Sequence, residues 1–153
     1  MKKLIIALAA LCCTMPLFAQ AAVNYFPESI VGVYQSKQNG DEYKVRVTKA
    51  DGGTYTGQII WLKDSVDPAT GEKYLDTKNP EKSLRSVPCD QIMLFTGLMY
   101  NSEKKCWDKG KIYDPQRGLK VNCKAFFEPD GRLCIKATVA GIGEKIYWRK
   151  VEE

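Results

Sequence analysis

The side chains able to do chemistry in this chain are few, and what is missing among them narrows the choice. Six cysteines are present but no histidine, so a proton acceptor working near neutral pH would have to be a carboxylate, a lysine, a tyrosine or a thiol. A cysteine nucleophile would lack its usual imidazole partner. Zinc is disfavoured too, because the sequence has no Cys-x-x-Cys pair and no imidazole. No catalytic residue, metal ligand or cofactor is therefore expected, and the acidic residues collect in turns rather than in inward strand positions.

What remains are side chains that could hold a ligand. Tyr113 and Asp114 sit at the end of an apolar run, in the stretch from Gly110 to Gly118. Asp114 and Pro115 suit the first two corners of a type I turn and Gly118 a left-handed exit, so an Asp accepting backbone hydrogen bonds is the ordinary role and a binding role the sharper one. Arg85 could clamp a carboxylate or phosphate through paired N–H groups, with a structural ion pair to Asp76 or Asp114 as its alternative. Trp61, Trp107, Tyr55 and Trp148 could line an apolar pocket, although aromatic residues in strands more often belong to the core.

The elements that must position these residues read as strands. Tyr43, Val45 and Val47 alternate with charges. Tyr55, Gly57, Ile59 and Trp61 share one face of the next run, after the turn at Asp51-Gly52-Gly53. Leu119, Val121, Cys123, Ala125 and Phe127 alternate again, and Pro129-Asp130-Gly131 returns the chain into Leu133, Ile135, Ala137 and Val139. Gln91 to Met99 is apolar on both faces, with Ile92, Leu94 and Leu98 on one and Met93, Phe95 and Met99 on the other, which demands cover on both sides. Between the third and fourth strands the pattern breaks from Lys63 to Pro88, a connection too long for a hairpin. Asn79 could cap one helical turn over Pro80 to Leu84. Asn39-Gly40-Asp41 supplies the first turn. Eight strands in meander order predict an all-β, closed, up-and-down antiparallel barrel with one long covering loop, whose interior is either filled or holds one small ligand.

The N-terminus reads as a leader. Lys2 and Lys3 precede an apolar run from Leu4 to Leu11, and small residues near Ala19 and Ala21 offer cleavage, so residues 1–19 are expected to be a signal peptide, with 21 as the alternative cleavage point. The run is too short to span a bilayer, and the bulky Leu11 before Cys12 argues against lipidation of Cys12 or Cys13. A single domain over residues 24–153 follows. Losing Lys2 and Lys3 lowers the formal charge from +5 to +3, and the lysines alternate with apolar residues as on a solvated sheet, so no nucleic-acid partner is expected. Cys89, Cys106, Cys123 and Cys134 remain; two disulfides with three connectivities, or free thiols, are both open. Strand alternation sends Cys123 and Cys134 to opposite faces of their hairpin, which excludes that pair.

Gly32-Val33-Tyr34 with Trp148-Arg149 resembles the lipocalin and calycin pattern, in which a Gly-x-Trp on the first strand is covered by an arginine on the last. Tyr34 stands where that pattern has Trp. Ile60-Trp61-Leu62, Asp76-Thr77-Lys78-Asn79-Pro80, Leu84-Arg85-Ser86 and the Gly-x-Ile-Tyr-Asp-Pro stretch ending at Pro115 resemble an uncharacterised, domain-of-unknown-function family of small secreted bacterial proteins with a lipocalin-like barrel. That resemblance implies the fold and a periplasmic or extracellular address, and it brings no catalytic residue.

The expectation is thus a secreted binder of a small apolar or amphipathic molecule, with a solid interaction module, binding a protein partner or a second copy, as the alternative. Gly32, Tyr34 and Arg149 are expected at the closed end of the barrel, with Arg149 over Tyr34. Gly57, Ala125 and Ala137 should leave room inside. Arg85, Trp61, Tyr55, Trp107, Tyr113 and Asp114 are the expected ligand contacts, Arg85 anchoring an anionic head beneath a cover formed by Lys63 to Pro88.

Overall fold

The computed structural model describes residues 25–38 and 40–152. The expected leader with Cys12 and Cys13, and Asn39 of the expected first turn, lie outside the described residues. Eight strands follow one another: β1 (Gly32–Gln38), β2 (Asp41–Lys49), β3 (Tyr55–Leu62), β4 (Met93–Asn101), β5 (Cys106–Asp114), β6 (Leu119–Phe127), β7 (Leu133–Val139) and β8 (Ile142–Val151). Each pairs antiparallel with the next, and β8 returns to β1, closing the barrel. Closure removes both sheet edges, so a short chain can expose eight strands to water without a template for edge-to-edge pairing. No helix among the described residues is long and apolar enough to cross a membrane.

One end of the barrel is plugged by the chain that enters it. A short 3-10 helix, Pro27–Ile30, lies across that end, and aromatic side chains, the buried Trp107 and Tyr34 and the half-buried Tyr100, use their polar tips to hold the entering chain. Trp107 Nε1 donates to the Pro27 carbonyl at 3.0 Å, Tyr34 Oη to that of Ile30 at 2.9 Å, and Tyr100 Oη to that of Tyr25 at 2.7 Å. Tyr25 also stacks on Phe127 with ring centroids 4.1 Å apart. Above this plug the barrel axis is filled by rings: Trp148 stacks with Phe95 at 6.0 Å and meets Tyr43 edge-on at 6.4 Å. Gly57 and Gly110 make that filling fit, since a Cβ on Gly57 would stand 2.2 Å from the Phe95 ring and one on Gly110 2.6 Å from Leu98. Gly57 therefore admits a core ring instead of leaving ligand space, and Ala125 is fully buried in the same filled half.

The expected cation at this end is displaced by one residue. Tyr34 pairs across the sheet with Lys150, and Gln35 with Arg149. Directly opposed residues share a face, so Lys150 lies over the Tyr34 ring at 5.8 Å while Arg149 points outward and is exposed. Gly32 leaves space for this arrangement: a Cβ there would be 2.5 Å from Lys150 Cε.

Bulges also overturn two readings made from strict alternation. Lys44 pairs with Trp61 but Val45 with Ile59, so Ile60 is an extra residue on β3. The extra residue reverses the face that follows. Trp61 is consequently outside, 40% exposed beneath Lys44, and Leu62 faces inward. On β4, Tyr55 pairs with Leu98, Gly57 with Phe95 and Gln58 with Met93; two insertions on β4 turn Leu94, Phe95 and Leu98 all inward. The strand thus needs cover on one face, and Met93 and Met99 are left outside at 45% and 46% exposure. In β5 the same device, with Lys109 at φ 62°, lets Trp107 and Gly110 face the core three residues apart.

Among the described residues, Cys89, Cys106, Cys123 and Cys134 are free thiols. Cys123 belongs to the interior cluster, whereas Cys134 is buried on the other face, opposite Phe126.

Candidate functional site

The end of the barrel away from the plug is hollow. A cavity of about 770 Å³ opens there, and its wall consists of inward residues of the seven strands β2 to β8: Tyr43 of β2, Ile59 and Leu62 of β3, Leu94 of β4, Ile112 of β5, Val121 of β6, Ala137 of β7 and Ile146 of β8, joined by Ile92. Val45, Gly57, Gly110, Cys123 and Trp148, the next inward residues down, do not line it, so the Trp148 layer is its floor. Tyr43 brings a polar group to the floor, where its hydroxyl accepts a 3.3 Å hydrogen bond from Trp148 Nε1. Burial pushes the Tyr43 phenol up, keeping it a neutral hydroxyl.

The rim is acidic on a basic chain. Asp41, Glu42, Asp64, Asp114 and Glu144 line it against Lys63, Arg117 and Lys145. Arg117 is shared between Asp114 at 3.6 Å and Glu144 at 3.8 Å, while Lys37 and the Gln35 amide hold the Glu42 carboxyl below its usual range. Asp114 has the turn role: its Oδ1 accepts from the Gln116 and Arg117 backbone N–H groups at 2.9 and 3.2 Å.

The segment between β3 and β4 is a strap rather than a dome. Its two stems line the mouth through Lys63 and Asp64 on one side and Cys89 and Ile92 on the other, whereas its middle packs down the outer wall over β4 and β5 around a second cavity of about 290 Å³. Asp76 is the pin. It is 3% exposed, accepting from Tyr113 Oη at 2.6 Å and from Asn79 Nδ2 at 2.7 Å. Burial, then the hydrogen bond to Asp76, push the Tyr113 phenol up, so it remains the donor. Gly118 completes the clasp. Its φ of 67° favours glycine, and a Cβ would stand 2.4 Å from the Lys78 carbonyl oxygen. Lys120 pairs with Glu81 on the same side. Asn79 does not cap a turn over Pro80 to Leu84; its Oδ1 accepts the Glu81 N–H at 2.9 Å, and a 3-10 turn begins later, at Lys82–Leu84.

The architecture agrees with what the chain is similar to. Residues 32–150 match the family model described as an uncharacterized protein conserved in bacteria, DUF2147. The chain belongs to this family. No curated protein matches it. Among solved structures, this DUF2147 chain is similar to one titled "Protein HP1028 from the human pathogen Helicobacter pylori belongs to the lipocalin family", at 18% identity and a TM-score of 0.63, covering 80% of this chain and 83% of that one. At that identity the likeness shows the fold, a lipocalin-like barrel.

Of the ligand contacts expected from sequence, the DUF2147 barrel places Tyr113 and Asp114 at the mouth. Tyr55 and Trp107 are buried outside the cavity lining, Trp107 at the plugged end. Trp61 is on the outer wall. Arg85 lines neither cavity; it is exposed on the strap, its Nε donating to the Asn79 carbonyl at 2.8 Å, so it forms neither the anion clamp nor the ion pair to Asp76 or Asp114. Of the small residues expected to leave room, Ala137 alone lines the cavity. Sequence reasoning passed over Tyr43, Leu62, Ile92, Ile112 and Ile146. Their signal was positional: Tyr43, Leu62, Ile112 and Ile146 are inward residues in the half of a strand nearest the long connection, and Ile92 immediately precedes β4.

Cys89 is the thiol at the mouth, and burial, then Asp76 and Asp90, push it up and away from the thiolate. Burial holds Cys123 still higher, pushed up to about 12.

Proposed function

We propose that this protein is a non-enzymatic carrier or sequestering protein that binds one small apolar or amphipathic molecule in the mouth cavity, and that it works in the periplasm or outside the cell. The observation that carries the reading is the cavity of about 770 Å³, walled by aliphatic side chains and open at one end; ligand sites fall in the range of roughly 300–1,000 Å³ with just such linings. An alkyl chain burying roughly 250 Å² at about 25 cal/mol per Å² gains about 6 kcal/mol before the cost of immobilising it is subtracted. The rim, with five carboxylates against three cations, favours a neutral or cationic head over an anionic one. The leader at residues 1–19 supports the address, and N-terminal sequencing of protein from the native host should find a mature chain beginning near Gln20 or Ala22; a lipid-modified Cys12 or Cys13 would end that part of the reading.

The test of binding is to fill the space. Ala137→Trp projects an indole from β7 into the cavity and should weaken binding of an apolar probe such as N-phenylnaphthylamine at least about tenfold, with far-ultraviolet circular dichroism unchanged. Undiminished binding in this variant would place the ligand elsewhere.

A second reading, an interaction module for a protein partner or a second copy, draws on Met93 and Met99, both outside on β4 and nearly half exposed. Native mass spectrometry of protein from its own host separates the two: a small added mass supports the carrier, a doubled or hetero-complex mass the module.

A further inference from the structure

The turn between β5 and β6 does more than reverse the chain. In an eight-stranded closed barrel the β1–β2 and β5–β6 turns stand half a circumference apart at the same end, yet Gln116 Nε2 reaches the Asp41 carboxylate at 3.4 Å. Arg117, next to it, reaches Glu144 on β8 at 3.8 Å. The turn therefore lies across the mouth, and Pro115, Gln116 and Arg117 form part of the cavity's lining.

Its two sides are held very differently. Toward the strap the anchoring is close: Lys78 Nζ donates to the Gln116 carbonyl at 2.8 Å, and the Lys78 carbonyl lies so near Gly118 that no side chain fits there. Behind that contact stands the buried Asp76–Tyr113 pin. Toward the far rim the contacts are long, made by exposed side chains, and made to carboxylates that water can solvate equally well. A plate clasped firmly on one side and touched lightly on the other opens about the firm side.

We propose that residues 114–118 are the gate of the cavity, hinged at Gly118 and the strap, with Gln116–Asp41 and Arg117–Glu144 as the latch. This rests on the binding reading above and assigns its regulation: the latch sets how fast a ligand enters and leaves, and contributes little to how tightly it is held. A group that only guards the path changes association and dissociation together, whereas a group touching the ligand changes their ratio.

The experiment is stopped-flow fluorescence with N-phenylnaphthylamine on the mature protein and on Gln116→Ala/Arg117→Ala. Because single exposed ion pairs move an equilibrium by less than about tenfold, both latch residues are removed together. Both rate constants should rise about fivefold to tenfold, with Kd within about twofold and the urea midpoint unchanged. Raising the ionic strength should accelerate the wild type toward the variant and leave the variant unmoved, since the latch is electrostatic. Unchanged rates in the variant would overturn the gate while leaving the carrier reading intact. A changed Kd at constant association rate would overturn it as well, making Gln116 or Arg117 a ligand contact. A wild type that binds no probe at all overturns the carrier reading and the gate with it.

Discussion

Removing one hydroxyl, in Tyr113→Phe, tests how the strap is held. Tyr113 Oη donates to Asp76 Oδ1 at 2.6 Å, and Asp76 is 3% exposed, with Asn79 Nδ2 at 2.7 Å as its second side-chain donor. A hydrogen bond to a charged acceptor contributes about 1.5–3 kcal/mol, and losing it here leaves a buried carboxylate oxygen without a donor. The ring of Tyr113 stays, so packing is preserved and the whole effect belongs to the hydroxyl. The expected loss is about 2 kcal/mol, read in either of two ways. If strap and barrel unfold together, the urea midpoint falls with an unchanged slope. If the strap opens by itself, the midpoint stays and limited proteolysis between Lys63 and Pro88 accelerates about thirtyfold, the factor that 2 kcal/mol represents when cleavage follows the open population. The control is a double-mutant cycle with Asp76→Asn, whose coupling should be about 1–2 kcal/mol. Midpoint shifts under about 0.5 kcal/mol together with unchanged proteolysis, or simple additivity in the cycle, would show that the Asp76–Tyr113 bond does not hold the strap.

Two further outcomes follow from the same reasoning. Lys150→Ala should cost about 1 kcal/mol, because Lys150 covers the Tyr34 ring and donates to the Val31 carbonyl at 2.8 Å, while Arg149→Ala should stay within about 0.5 kcal/mol; equal effects would contradict the register of β1 with β8. Alkaline stability should fall above about pH 8.5, because burial chiefly pushes the thiols of Cys89, Cys106, Cys123 and Cys134 and the phenols of Tyr34, Tyr43, Tyr55 and Tyr113 above their ordinary values. The folded chain then holds thiol and phenolic protons that the unfolded chain releases, so stability is level below that pH and declines as pH rises through the window above it, more steeply once the phenols join above about pH 10. Urea midpoints measured from neutral pH to pH 11 check this; a flat profile would mean that those thiols and hydroxyls reach water.

Strand count, strand order and turn positions were legible in the sequence because they are local. Period-two runs such as Leu119 to Phe127, and glycines in turns such as Gly131 at φ 81°, need no knowledge of distant residues. The identity of the site was not local. Trp61 reads as inward until the extra Ile60 on β3 is seen to reverse its face, and that bulge exists only in the pairing with β2. Arg149 and Lys150 differ by one step of alternation, which the closure of β8 onto β1 resolves. Whether the barrel is filled or hollow depended on tertiary structure most of all. Gly57 looks like spare room along its own strand, yet the Phe95 ring from β4 occupies it, while Ala137, Val121 and Ile146, on three separate strands, leave their shared space open. A sequence specifies what each strand presents, but volume is a property of what faces what, and in a closed sheet the register around the barrel fixes the facing residues.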